Sequence, residues 1–433
     1  MKNTAANPVV VAPASLHQWV PQLSLAERDR RWAGIRELMS LAGLDALVLI
    51  ANDMSFGMAT ANVRYLTQVG SLCGGEAAFF LDSDPVVWNS NQPQMHEPCN
   101  GYLQTQRWTT DIRRSEGMAG VADELRKRGC DSGRIGVAPF SSALFATPYI
   151  LASQQAALER ELPNATLVPA GWLLEQLRLI KSDEEIGMIR RAAEISRIAL
   201  DAMVAAARPG TPEAVVAADM LRTQVANGAE PQVFNFLSSG PVEHPPSEVW
   251  RLLHATEPPG APTMRPLNQG DIVVTEYHIC YGGYLAGTEF TVYVGERAPA
   301  QLKAIFDVCV ETLEASLELR PGMTIREAYT TIRRPVERAG MDFVELGFHG
   351  HGLASPEFPT VVHRPGQGGP TSMDGSRIGE LVLREGMVLC NNIDVYDPRW
   401  KPDVGCMYGD TVVVGADATT RLVDIPTELP EPA

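Results

Sequence analysis

The stretch from Gly270 to Gly295, GDIVVTEYHICYGGYLAGTEFTVYVG, constrains the fold of this chain more than any other. Two runs rich in β-branched and aromatic residues, 271–279 and 284–294, read as strands folded into a hairpin. Glu276, His278 and Glu289 interrupt them in mid-strand. Glu276 and His278 are two residues apart on one strand, so they face the same side. Glu289 stands on an otherwise apolar strand, where a buried carboxylate needs a partner or a role.

Helical patterns surround the hairpin. Residues 182–207 read as a long helix, with Ser182 as N-cap and Glu185 three residues on as its capping-box partner. Pro209, Gly210 and Thr211 end it, and a second helix runs from Pro212 to about Ala226. Helices at 299–317 and 324–339 and strands near 386–396 and 410–415 follow, with an irregular loop region at 350–370. This order suggests an α+β domain. Upstream, a helix at 24–43, a strand from Asp45, a hairpin around Asp82-Ser-Asp-Pro, a helix at 118–128 and a strand from Gly133 suggest an α/β domain. The expected organisation is an arm at 1–23, an α/β N-terminal domain at 24–177 and a C-terminal domain at 178–433. The arm is expected to be flexible or to pack on a partner subunit.

Composition narrows the function classes. A net charge of −16 argues against a nucleic-acid or anionic-membrane partner. No apolar run approaches the roughly 18–20 residues of a membrane span. The seven cysteines are odd in number and form no CxxC pair, which argues against a disulfide framework and a zinc site and fits a reducing cytoplasm.

Six further segments point one way. NVRYLT from Asn62, RLIKSDEEI from Arg178, SGP from Ser239, His349-Gly with Pro356-Glu357-Phe-Pro, EGMV from Glu385 with Tyr396, and GDTVVV from Gly409 occur in this order. Together they resemble the creatinase / aminopeptidase P / prolidase family, in which the first of them forms a strand. The resemblance implies a pita-bread catalytic domain after a smaller creatinase-type domain, in a homodimer.

The family's metalloenzymes hold two metals with two aspartates, one histidine and two glutamates, an oxygen-rich set that suits hard divalent ions. By resemblance those slots fall at Glu276, Gly287, His349, Asn392 and Gly409. Two have no side-chain ligand and a third has a neutral amide, so the expectation is a metal-independent chain with no cofactor. A nonstandard single metal on Glu276, His278, Glu289 and His349 is the alternative.

Creatinase is the family's metal-free precedent. Its catalytic histidine lies between the SG turn and the GD strand, where His254 and, second, His244 compete. Its substrate-holding glutamate falls at Glu289, while its later glutamate has no acidic counterpart at Tyr408-Gly409, which argues against creatine itself. The candidate catalytic residues are therefore His254, His244, Glu289 and Glu276. The candidate substrate-binding residues are His349, His351, His278, Glu357, Arg364 and Asn392. Histidine suits a proton shuttle because its pKa lies near neutrality. Each also has a plainer reading: a surface loop histidine at 244 and 254, a structural histidine at 349, a hydrogen-bonded loop residue at 351, a solvated arginine at 364. The expected function is acid–base hydrolysis of a C–N bond in a small non-peptide molecule. A metal-free lyase and a non-catalytic binding module are the alternatives.

Overall fold

The computed structural model describes residues 20–51, 60–69, 75–89, 106–138, 150–231, 234–243, 262–363 and 378–433. The chain divides into two compact units, one ending at Leu174 and the other comprising Glu175–Ala433 and a short earlier segment.

The first unit is built on a six-stranded sheet. Its strands are β1 (Ala46–Ala51), β2 (Gly75–Phe80), β3 (Val86–Asn89), β4 (Ile112–Arg114), β5 (Arg134–Ala138) and β6 (Thr166–Pro169), in the order β4-β3-β2-β1-β5-β6. β2 and β3 form the expected antiparallel hairpin, while β5 and β6 extend the sheet in parallel. The helices are α1 (Leu25–Leu41), α2 (Ala61–Thr67), α3 (Met118–Lys127), α4 (Ala152–Glu161) and α5 (Gly171–Leu179), the last straddling the boundary. Ser24 caps α1 by accepting from the Glu27 amide. The NVRYLT segment, expected as a strand, is helix α2. Tyr65 and Leu66 are fully buried there, and the Arg31 guanidinium and the Trp32 indole donate to their carbonyls.

The second unit opens with α6 (Asp183–Ala206), whose capping box between Ser182 and Glu185 forms as expected, and α7 (Glu213–Ala226). A three-stranded antiparallel sheet follows: β7 (Asn235–Pro241), β8 (Asp271–Tyr281) and β9 (Tyr284–Val294). Then come α8 (Ala300–Ser316) and α9 (Ile325–Ala339). A second sheet consists of β10 (Asp342–Gly350), β11 (Glu357–His363), β12 (Val388–Tyr396), β13 (Gly405–Met407), β14 (Thr411–Val414) and β15 (Thr419–Arg421). Its order is β11-β10-β12-β14-β15, with β13 also paired to β12. The irregular region expected at 350–370 is corrected in part: residues 357–363 are a strand paired antiparallel to β10. Short apolar content, Pro359 within it and Pro356 just before it hid that strand. A continuous core joins α6 and α8 to the hairpin and to β12, through Phe290, Phe306 and Tyr408 among others. Among the described residues no helix is long and apolar enough to cross a membrane.

Candidate active site

Strand register assembles the site. Across the β8–β9 hairpin, Glu276 stands opposite Glu289 and His278 opposite Gly287. On the second sheet, His349 of β10 faces Cys390 of β12, and Gly347 faces Asn392. The Glu289 amide donates to the Gly409 carbonyl at 3.1 Å, and the Gly409 amide donates back at 2.9 Å. Residues far apart in sequence are thereby gathered into one cluster with two unlike halves.

The carboxyl half centres on Glu289, which is only 2% exposed. Asn392 Nδ2 donates to its Oε1 at 2.7 Å and the Ile393 amide to its Oε2 at 3.2 Å. A Cβ placed on Gly409 would lie 3.0 Å from Glu289 Oε2 and collide with the Asn391 carbonyl oxygen. The Glu289 carboxyl thus occupies the space a side chain at 409 would need. Burial pushes its pKa well above the usual carboxylate range, and the nearby charges of Asp394 and Glu276 add to this; the Ile393 amide opposes them and loses.

The other half is imidazole and thiol. His278, His349, His351 and Cys390 are all buried. His278 stacks on Phe234 with centroids 4.2 Å apart and meets His351 edge-on at 5.2 Å. His349 Nδ1 lies 3.0 Å from the Gly350 carbonyl, and Ser355 Oγ lies 3.2 Å from His351 Nδ1 and 3.5 Å from His278 Nε2. A Cβ on Gly287 would lie 2.8 Å from Cys390 Sγ and 3.0 Å from carbons of both His278 and His351. Burial lowers the pKa of His278 to about 3, with the His349 ring adding to it. Burial also lowers His349 and His351, so these rings are neutral at neutral pH.

Of the sequence-predicted residues, Glu276, Glu289 and Asn392 gather in the first half and His278, His349 and His351 in the second. Glu357 takes the structural role that the sequence also allows. Its carboxylate accepts from Arg178 at 2.5 Å and Lys181 at 3.0 Å, and also from the Ala354 amide at 3.0 Å. With both oxygens engaged by buried cations, it braces the segment carrying His351. Burial raises its pKa, but Arg178 and Lys181 outweigh burial and hold it at about 2. His244, His254 and Arg364 lie outside the described residues. Sequence reasoning missed Cys390 and Ser355. Strand alternation could have found Cys390, two residues before Asn392 on one strand and so on the same face.

The fold and these slots define a class. The chain belongs to Metallopeptidase family M24, matched over residues 187–416, with a Creatinase/Prolidase N-terminal domain matched over residues 31–180. It is a member of the creatinase / aminopeptidase P / prolidase group and has that group's pita-bread fold. It is 28% identical to an Xaa-Pro dipeptidase of Pyrococcus furiosus over 59% of this chain and 66% of that one. It is 24% identical to a creatinase of a Bacillus species over 94% and 92%. An Xaa-Pro dipeptidase from Bacillus anthracis superposes with a TM-score of 0.71 at 21% identity, covering 93% of this chain and 99% of that one.

Proposed function

We propose that this chain is an enzyme that hydrolyses a C–N bond in a small non-peptide molecule by carboxyl acid–base chemistry, without the family's carboxylate-bridged metal pair. The observation that carries the reading is the seat of the Glu289 carboxyl. It fills the space beside Gly409 and is gripped by Asn392, the residue at another of the family's ligand slots. The residues present do not fit a metal pair. Gly287 and Gly409 offer no side-chain donor, and the Asn392 amide is already turned to Glu289.

Glu289 and Glu276 are cross-strand neighbours on one sheet face. Like charges so placed repel, and the pair favours a shared proton over two anions. The buried member, Glu289, keeps that proton at neutral pH and can give it to a leaving nitrogen. Glu276, partly exposed, then serves as the anionic base or the seat of a cationic substrate group. Asn392 orients the Glu289 carboxyl.

The test is a screen of the purified protein against small amides, ureas, guanidines and Xaa-Pro dipeptides in 18O-labelled water, with and without added manganese. The expected result is turnover of a non-peptide, label in the product, and no activation by manganese. Cleavage of Xaa-Pro dipeptides that appears only with manganese would overturn the reading. Turnover without label would replace hydrolysis by elimination.

A further inference from the structure

We propose that His349, His351 and Cys390 form a binding site for a single thiophilic divalent cation of the zinc class. It shares His349 with the family's ligand slots but takes its other two donors, His351 and Cys390, from outside them, and it does not rest on the hydrolytic reading above. One ligand atom from each of the three residues lies within 4.8 Å of the other two, and all three side chains are buried.

Ring orientation makes this more than a cluster. A carbonyl oxygen can only accept, so His349 Nδ1 carries the proton it gives to Gly350, and its Nε2 is left as a bare lone pair. On His351, Nδ1 is the nitrogen beside the Ser355 hydroxyl, and Nε2 is buried with no hydrogen-bond partner. Such an atom is costly to bury unsatisfied. Ser355 Oγ also lies near His278 Nε2. Where the relay runs from His351 Nδ1–H through the Ser355 hydroxyl to His278 Nε2, it leaves the buried His351 Nε2 as a free lone pair. Histidines that hold a metal show this arrangement, one nitrogen on the cation and the other donating to a carbonyl or hydroxyl.

The donor set selects the ion. Two imidazoles and a thiolate favour zinc or copper over the magnesium, manganese or calcium that an oxygen cage takes. Zinc bonds of about 2.0–2.1 Å to nitrogen and 2.3 Å to sulfur place donors roughly 3.4–3.8 Å apart, so the three side chains close by about 1 Å around the cation. Gly287 keeps the space clear, since a Cβ there would press on Cys390 Sγ and His351 Cε1. Three protein donors leave a fourth position for a ligand from outside the protein. Binding releases the thiol proton of Cys390. This site also revises the sequence-based argument against zinc. CxxC spacing tests for one loop, whereas these donors come from two strands and the segment after one of them.

The test uses the full-length protein, stripped with chelator and titrated with Co2+ under absorption spectroscopy. We expect about one equivalent bound, with a thiolate-to-cobalt charge-transfer band. Cys390→Ser should lose the band, and Ser355→Ala should weaken binding by about 10–100-fold through the freed His351 ring. Glu289→Gln should leave the titration unchanged. No binding to folded wild-type protein, a band that survives Cys390→Ser, or two equivalents lost together in Glu289→Gln would each overturn the proposal. The wild-type isotherm alone decides it if a variant fails to fold.

Discussion

Gly287 and Gly409 both stand where the family resemblance puts a carboxylate, yet the space beside each is filled differently. At Gly409 the filler is another carboxyl, Glu289, brought in from the neighbouring strand and locked by an amide and a backbone N–H. At Gly287 the fillers are a thiol and two imidazoles. On the function proposed above, the carboxyl half keeps oxygen chemistry and holds a proton, while the other half offers nitrogen and sulfur donors.

That contrast can be broken experimentally. The largest expected effect is on Glu289→Gln, which keeps the shape and removes the proton: kcat should fall by about 10²–10⁴-fold with the fold intact. If Glu289 acts as an acid, wild-type activity also declines as pH rises through its elevated pKa; a decline only toward low pH would make it the base. Next, Glu357→Gln leaves Arg178 and Lys181 buried without their counter-charge and should cost about 3–5 kcal/mol in urea unfolding. The native carboxyl is depressed from its ordinary 4.5 to about 2, so its stabilisation is complete above pH 4.5 and disappears as pH falls toward 2. The wild type should lose roughly 3 kcal/mol across that window and the variant should not.

The two glycines themselves should differ. Gly409→Ala meets a backbone carbonyl that cannot step aside, and should destabilise by about 3 kcal/mol or more. Gly287→Ala meets only side chains and should cost about 1–2 kcal/mol, most of it recovered in Gly287→Ala/Cys390→Ala. Equal costs for the two glycines would sink the distinction between the halves. The smallest effect is on Asn392→Ala, which frees the Glu289 carboxyl to rotate and should lower kcat about tenfold, near the worth of one hydrogen bond to a charged or reacting group.

The sequence carried the hairpin, the capped helix α6 and the family's slots, because apolar alternation and capping chemistry are local signals. The resemblance misled at NVRYLT, which folds as a helix with Tyr65 buried against α1, and the sequence hid β11, where the strand is defined by its partner. At the site it located Glu276, Glu289, Asn392 and the histidines individually. It could not tell that the Glu289 carboxyl lies over Gly409, since that depends on a bridge between residues 120 positions apart. The partners of Glu357 were hidden for a similar reason: Arg178 and Lys181 lie on a segment distant in sequence.

The crowding over Gly287 and Gly409 has a consequence for how such a protein can change. Restoring an aspartate at 287 requires Cys390 and two rings to yield first, and restoring a glutamate at 409 requires Glu289 and a stretch of β12 backbone to move. Each step therefore depends on a compensating change in its neighbours, so a carboxylate at either position comes only as part of a set of coupled substitutions.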